Sequence, residues 1–247
     1  MVQRLARRLL LALVSIVAMV PALADHGAGA AERRLPVADD APPWLLAVGR
    51  LAIPTSRLEA GRRRHYDERC SGTLLAPPDG GDAQFVLSAW HCLEYYTDLS
   101  RAIRFELTGL AGEVLESRAR AVASGGGMAA DWALLELNPP IPAGLGGTAE
   151  LDGRTVAAGA RLAMAGFSGD PGLGAGGAQL TYDPACRVTG TSGADRLTDC
   201  LAYKGASGGG AFHGGRLVGV LSRGDSRGRS IYVPAARFLP AVSRRLR

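Results

Sequence analysis

Residues 200–212 read CLAYKGASGGGAF and place Ser207 at the centre of a glycine-rich run. A serine hydroxyl is a weak nucleophile, so it needs a base to take its proton and fixed N–H donors to hold the oxyanion that forms. Gly205 has no side chain, and a tight turn there can aim its own N–H and that of Ser207 into one small concavity. The run predicts a nucleophilic serine with an oxyanion hole, although Gly/Ser clusters are also common in ordinary turns.

The N-terminal residues have the pattern of a secretory signal peptide. Arg4, Arg7 and Arg8 precede an apolar run over residues 9–20, and Pro-Ala-Leu-Ala follows at 21–24. A basic start, a short apolar stretch and an Ala-x-Ala site are typical of a cleaved signal, and the apolar run is short for a membrane span. We expect residues 1–24 to be removed after Ala24 and the mature protein to be secreted or periplasmic without a stable membrane anchor. An uncleaved anchor is the alternative.

The charge and the cysteine count narrow the class of protein. The formal net charge of +5 includes the three signal arginines, and no basic stripe is interleaved with aromatic residues, so nucleic acid is not an expected partner. The four cysteines are an even set in an exported chain, which favours two disulfides over a metal site or a reactive thiol. Their positions alone leave three pairings open: Cys70, Cys92, Cys186 and Cys200.

The texture of the chain predicts an all-β protein. Residues 25–43, rich in Ala, Gly, Asp and Pro, are interpreted as a flexible leader or pro-segment, with a possible processing site at 33–34. Short strand-like runs separated by turn clusters fill 44–137 and 151–234, and a Pro/Gly-rich break at 138–150 is interpreted as a linker. Apolar residues at helical spacing predict a short C-terminal helix within 235–247. With no long amphipathic helix, two small barrels or sandwiches are expected.

A base and its partner can be found upstream of the serine. His91 follows the apolar run 85–90 and precedes Cys92, so a buried strand delivers it. Asp131 heads the apolar run 132–137, where a buried carboxylate requires a hydrogen-bond donor. Held by Asp131, the His91 ring would present its other nitrogen to Ser207.

Four motifs together resemble those of the chymotrypsin/trypsin-like serine proteases. CSGTLL at 70–75 with LSAWHC at 87–92 is similar to the histidine motif of that family, DWALL at 131–135 to its aspartate motif, GASGG at 205–209 to its serine motif and GVLSRG at 219–224 to its substrate-pairing strand. The order His, Asp, Ser is also that of the family. The resemblance runs from about residue 44 to the C-terminus.

The resemblance implies two six-stranded antiparallel β-barrels, the first carrying the His and Asp and the second the Ser, with the active-site cleft between them. It implies peptide-bond hydrolysis in which Ser207 is the nucleophile, His91 the general base and then acid, and Asp131 the orienting carboxylate, with an oxyanion hole formed by the N–H groups of Gly205 and Ser207. It selects the pairings Cys70–Cys92 and Cys186–Cys200. A monomer acting on protein or peptide substrates, with no cofactor and no metal, is expected.

The resemblance also suggests how substrate is bound. The substrate-binding residues that it implies are Leu201, Ala202, Ser222, Arg223, Gly224 and Ser230. Leu201 and Ala202 stand where a trypsin-like pocket would need an acidic residue, so an apolar or small residue is expected before the scissile bond.

Two departures from the family pattern affect regulation and specificity. Ala206 stands where an Asp commonly receives the N-terminus freed by zymogen cleavage, so that activation switch is expected to be absent. The serine region and its cysteine spacing look closer to bacterial glutamyl-endopeptidase-like relatives, yet Leu221 stands where their pocket usually has a His.

Three other interpretations compete with this one. GASGG also fits the Gly-x-Ser-x-Gly elbow of α/β-hydrolases, which would indicate an esterase, but the chain after Ser207 is too short for the Asp and His that this fold places later. Lys204, the only lysine, could form a Ser–Lys dyad, although it lies on the wrong side of the serine and is interpreted as a rim residue. A secreted binding protein that keeps the protease fold without activity is the alternative from another class, and Ala206 is its support.

Overall fold

The computed structural model describes residues 31–246. The predicted signal peptide, its cleavage after Ala24 and the first residues of the predicted leader lie outside the described residues. Within 31–246, no helix is both long and apolar enough to cross a membrane.

The first barrel contains six antiparallel strands that close in the order β2-β3-β4-β7-β6-β5. Their bounds are β2 Val48–Glu59, β3 Arg62–Leu74, β4 Ala83–Ser88, β5 Ile103–Thr108, β6 Val114–Ser124 and β7 Ala133–Ile141. Buried and exposed side chains alternate along β5, as expected for a strand with one face against the barrel core. Ile103, Phe105 and Leu107 point into the core and are 0–1 % exposed, whereas Arg104 between them is exposed.

The second barrel has the same architecture. Its strands are β8 Arg161–Phe167, β9 Leu180–Ser192, β10 Asp195–Thr198, β11 Gly210–His213, β12 Arg216–Gly224 and β13 Ser230–Pro234. They follow the order β9-β10-β13-β12-β11-β8, and pairing of β8 with β9 closes the ring. The all-β prediction of two six-stranded antiparallel barrels is confirmed.

The chain passes from one barrel to the other close to residue 150. Ala149 bridges Leu75 of the first barrel, and Leu151 bridges Leu217 of the second. The Pro/Gly-rich stretch 138–150 is less of a break than its composition suggests, because β7 continues to Ile141 and the stretch is bonded to the barrels on both sides.

The residues before the first barrel include a segment that docks on the second barrel. Strand β1, Leu35–Pro36, pairs with Tyr182 and Thr181 of β9, and helix α1, Pro43–Leu46, leads into β2. This part of the expected flexible leader is anchored through backbone pairing and ion pairs, which its composition does not reveal.

The C-terminal helix is short, as expected. A 3₁₀ turn over Ala235–Arg237 precedes helix α2, Leu239–Ser243. Phe238 and Val242 are fully buried, and the Phe238 ring lies 5.5 Å from the ring of Trp132, between centroids. The end of the chain therefore packs against the first barrel beside Asp131.

Both predicted disulfides are confirmed. Cys70–Cys92 joins β3 to the turn that carries His91, and Cys186–Cys200 joins β9 to the segment that leads to Ser207. All four cysteine sulfurs are therefore in disulfides. Closure of loops of this size typically stabilises a fold by about 3 kcal/mol each.

Candidate active site

His91 lies in a 3₁₀ turn, Trp90–Cys92, directly after β4. The apolar strand passes through the core and its end brings the ring to the space between the barrels. The side chain is 27 % exposed, so one face of the ring contacts solvent. The disulfide at Cys92 anchors this turn to β3.

Asp131 is fully buried immediately before β7 and holds His91 at two points. Its Oδ1 accepts the His91 backbone N–H at 2.9 Å, and its Oδ2 accepts the ring Nδ1–H at 2.8 Å. Burial by itself would raise the pKa of Asp131, but hydrogen bonds from the His91 ring, the Ser222 hydroxyl and the His91 N–H together hold that pKa below its ordinary value. The carboxylate stays ionised, and with Nδ1 bonded to it, Nε2 is the ring nitrogen left as an acceptor. The His91 side chain lines the cleft.

Ser207 lies on the loop between β10 and β11, and two glycines permit its shape. Gly205 has φ +97°, and a Cβ there would lie 2.6 Å from the Phe167 carbonyl oxygen. Gly208 has φ +83°, and a Cβ there would lie 2.2 Å from the Ser71 carbonyl oxygen. Both positions therefore require glycine for conformation and for space.

Ser71 of β3 attaches this loop to the first barrel. Its N–H donates to the Ser207 carbonyl oxygen at 2.7 Å. Its hydroxyl donates to the Gly205 carbonyl oxygen at 2.9 Å and accepts the Phe167 N–H at 2.8 Å. The predicted nucleophile and the predicted base are thus supported by the same short part of β3, because Cys70 is disulfide-bonded to Cys92.

The Ser207 hydroxyl donates to the Ser222 carbonyl oxygen at 3.4 Å. Over the described range 31–246, it makes no hydrogen bond to the His91 ring, although both side chains line the same cleft. Such bonds are often long or unformed before substrate binds. Within the same range the N–H groups of Gly205 and Ser207 have no acceptor in the protein, as an oxyanion hole requires.

The cleft beside Ser207 has a volume of about 440 Å³. Of the predicted substrate-binding residues, Ala202, Ser222, Arg223 and Gly224 line it. Leu201 and Ser230 are buried behind the wall and do not line it: the Leu201 N–H donates to Asp183, and the Ser230 hydroxyl donates to the Cys200 carbonyl oxygen.

Several residues that sequence reasoning did not identify also contribute to the cleft. Glu94, Met128, Tyr203 and Ser226 line it. These residues come from loops of both barrels, and nothing in their local sequence marks them. Leu221 of β12, already noted from the sequence as a pocket position, also lines the cleft. The Ser222 hydroxyl, predicted only as part of a substrate-pairing backbone, donates to Asp131 Oδ2 and is fully buried.

Two other predicted features can be located. Lys204 is 89 % exposed with its Nζ 3.7 Å from Glu68, so it is directed to the rim. Within the part of the chain that the structure describes, the one cluster with metal-ligand spacing is Cys70, His91 and Cys92, whose two sulfurs are joined in a disulfide and offer no thiolate.

Comparison with known proteins supports the fold alone. No protein-family model matches the chain, and no curated protein matches it. Among solved structures 504 chains match. One is the crystal structure of the scabies mite inactivated protease paralogue S-D1, with a TM-score of 0.60 and 14 % sequence identity over 81 % of this chain and 91 % of that chain. This comparison gives no support to the likeness to glutamyl endopeptidases. With its two closed barrels and their intervening cleft, the chain has the chymotrypsin/trypsin-like fold.

Proposed function

We propose that the protein is a secreted serine endopeptidase in which Ser207 is the nucleophile, His91 the general base and Asp131 the orienting carboxylate. The observation that carries this proposal is the His91–Asp131 pair. A fully buried carboxylate bonds both the ring Nδ1 and the backbone N–H of a histidine that lines the same cleft as Ser207. A merely structural histidine has no need of a serine lining the same cleft.

In the first half-reaction, rotation about the Ser207 side chain brings Oγ to Nε2 of His91, which takes the hydroxyl proton as Oγ attacks the scissile carbonyl carbon. The Gly205 and Ser207 N–H groups stabilise the oxyanion. The imidazolium, stabilised by Asp131, then gives its proton to the leaving amine and the C–N bond breaks. In the second half-reaction a water molecule transfers a proton to His91, attacks the acyl-enzyme and releases the acid, with Oγ taking the proton back.

The substrate backbone would pair with the end of β12. Strand β13 covers one edge of this segment, and β11 pairs with β12 only up to Val220, so the other edge of Ser222, Arg223 and Gly224 is open to the cleft. An extended peptide can add there as a further strand. Ala202, Leu221 and Met128 in the lining favour an apolar or small side chain before the scissile bond.

The two disulfides support an extracellular or periplasmic location, because such bonds persist in oxidising compartments. The predicted signal peptide remains part of the proposal for the same reason.

Labelling with a phosphonofluoridate that reacts with activated serines tests this function. The purified protein should take up one label, and peptide mapping should place it on Ser207. The Ser207→Ala variant is the matched control and should take up none. Absence of label on the native protein would contradict the proposal.

A protease-fold protein without activity is the second candidate. Two observations favour it: the Ser207 hydroxyl is bonded to Ser222 and not to His91, and the solved structure named above is of an inactivated protease paralogue. An inert protein should remain unlabelled at Ser207 and keep its native fold.

A further inference from the structure

Arg34 is a buried arginine in the segment that precedes the first barrel. Its side chain is 2 % exposed although it lies in a stretch whose composition predicts a flexible leader. A buried guanidinium is costly unless its donors are matched by acceptors. Arg34 therefore needs acceptors around its guanidinium.

Arg34 has a partner on each of three sides. Nη1 and Nη2 donate to the two carboxylate oxygens of Asp170 at 2.7 and 3.0 Å. Nε and Nη2 donate to the two carboxylate oxygens of Glu32 at 3.0 and 2.7 Å. The guanidinium also lies over the ring of Tyr203, 4.3 Å from its centroid. This use of both the planar fork and the face is specific to arginine, since a lysine ammonium offers neither.

Asp170 transmits this contact to the loop 168–178. Its carboxylate accepts the Gly174 N–H at 3.2 Å, and its carbonyl oxygen accepts the Gly176 N–H at 2.9 Å. Hydrogen bonds from Arg34 are the main cause of a pKa of Asp170 below its ordinary value, with burial acting in the opposite direction. The carboxylate is thus charged and remains a partner for Arg34.

The loop and Tyr203 in turn contact the residues around Ser207. Tyr203 lines the cleft, and its carbonyl oxygen accepts the Ala206 N–H at 3.1 Å. Gly169 N–H donates to the Lys204 carbonyl oxygen at 2.6 Å. Tyr203 is therefore in contact with Arg34, and Lys204 is bonded to the loop 168–178. Ala206 is bonded to Tyr203, and Gly205 lies between Lys204 and Ala206 in the chain.

The ion pair that Lys204 of the loop before Ser207 makes with Glu68 lies at the exposed rim, where such pairs contribute little to holding a loop in place. Ala206, which is 2 % exposed, occupies the position before the nucleophile and has no charge to offer. The cation and the carboxylate that hold this region are instead supplied by the N-terminal segment and by the loop 168–178.

We propose that Arg34 is a positioning residue that acts through Asp170 and Tyr203 to hold the cleft wall and the Gly205 N–H in their working geometry. The inference rests on the proposed function of the same site. Cleavage between Arg33 and Arg34 would remove Glu32, one of the two carboxylates that pair with Arg34, so this ion-pair cluster argues against processing there.

The test uses the full-length secreted protein and three single substitutions. Arg34→Met removes the charge and the fork, Arg34→Lys keeps the charge alone, and Tyr203→Leu removes the ring while leaving the ion pairs of Arg34 with Asp170 and Glu32 in place. Arg154→Met is the matched control, since it removes an exposed arginine whose Nε donates to Asp152 on the same barrel, away from the cleft.

The first measurement is amide hydrogen exchange read by mass spectrometry, which does not depend on activity. In Arg34→Met and Tyr203→Leu, peptides covering 168–178 and 203–209 should exchange about tenfold faster or more, while peptides of the first barrel keep the native rate. Arg34→Lys should lie between these variants and the native protein, and Arg154→Met should match the native protein. Unchanged exchange over 203–209 in both Arg34→Met and Tyr203→Leu would overturn the proposal.

The second measurement is the rate constant for phosphonofluoridate labelling of Ser207, together with kcat and KM on a peptide substrate. Misplacing the Gly205 N–H and the wall should reduce the labelling rate of Arg34→Met by about ten- to a hundredfold and reduce kcat more than it raises KM. A variant with a lower melting temperature but native labelling and native kcat would show that Arg34 only stabilises the fold. If native protein is unlabelled while the exchange result is as expected, the proposed function fails and the positioning role stands.

Discussion

The two halves of the candidate site are held in different ways. On the first barrel, His91 is fixed by a disulfide at the next residue and by two hydrogen bonds to one buried carboxylate. On the second barrel, Ser207 lies on a loop between strands, with glycines at 205 and 208, and its hydroxyl bonds a backbone carbonyl.

The difference shows where the site is rigid and where it depends on its neighbours. His91 and Asp131, the proposed base and carboxylate, are positioned by a strand end, a strand start and a covalent bond within one barrel. Ser207, the proposed nucleophile, lies on a loop with contacts from outside it, notably from Ser71 of the first barrel and from Arg34 to Tyr203. Substitutions on the two sides should therefore fail in different ways.

The largest effect is expected at the nucleophile. Ser207→Ala should reduce kcat on a peptide substrate by several orders of magnitude with little change in KM or in thermal stability, because the group that forms the covalent bond is lost while the binding cleft remains. Steady-state kinetics and calorimetry check this. Near-native turnover would contradict the assignment of Ser207.

The next largest effect is expected at the carboxylate. Asp131→Asn should reduce kcat by about 10³- to 10⁴-fold, because an amide cannot hold the His91 ring in the tautomer that leaves Nε2 free. Loss of the Asp131 carboxylate should also change how the free energy of unfolding depends on pH. The pKa of Asp131 is lowered in the folded protein, so its contribution is present above the unfolded pKa and is lost as the pH falls through the folded pKa.

Denaturant unfolding of native protein and Asp131→Asn across the acid range measures that contribution, and the two curves should converge at the lowest pH. For kcat, Asp152→Asn is a suitable control, since Asp152 is a largely buried carboxylate paired with Arg154 on the second barrel. Equal effects of the two substitutions on kcat would show that Asp131 has no special role.

Removal of the two disulfides should have smaller effects, and these should differ between the two halves of the site. Removal of either pair, as Cys70→Ala with Cys92→Ala or as Cys186→Ala with Cys200→Ala, should lower the free energy of unfolding by about 3 kcal/mol. Removal of the first pair should also reduce kcat, because it frees the turn of His91 and the strand of Ser71. The second pair should affect KM more, since Cys200 leads into the cleft wall at Ala202. If loss of the first pair changed mainly KM and loss of the second mainly kcat, the comparison of the two halves would be wrong.

The smallest effect is expected in the core of the second barrel. The Tyr232 hydroxyl is buried and has no hydrogen-bond partner within residues 31–246. Burial raises the pKa of Tyr232 to about 12, so the associated stability is fully present below the unfolded pKa and is lost as the pH rises through the folded value. Tyr232→Phe should raise stability at neutral pH by about 1 kcal/mol or less and remove the alkaline loss. Equal alkaline unfolding of both proteins would contradict this.

The sequence predicts most of the site and little of its support. Strand-like runs and four motifs lead to the two barrels, and the family resemblance leads to the two disulfides. His91 and Ser207 line one cleft, and Asp131 is buried and bonded to the His91 ring. The contact between the Ser222 hydroxyl and Asp131 joins residues 91 positions apart. The contact of Arg34 with Asp170 joins residues 136 positions apart. No local sequence pattern predicts either of these two contacts.

The specificity wall shows the same limit. The family resemblance implies that Leu201 binds substrate, but its N–H is directed to buried Asp183 and its side chain is buried and does not line the cleft. A motif can indicate which residue occupies a position, but the path of the loop decides which face its side chain occupies.

The sequence by itself determined the all-β class and the residue types able to perform acyl transfer, because alternation, turn residues and motifs act over short distances. The disulfide pairs came from the family resemblance, since the cysteine positions alone leave three pairings open. Only the tertiary structure decided that the segment before the first barrel is docked, that Arg34 is buried and that Ser71 and Ser222 support the site. The physical reason is that a buried charge or hydroxyl is satisfied by whichever partner the fold brings within hydrogen-bond distance, and that partner comes from a distant part of the chain.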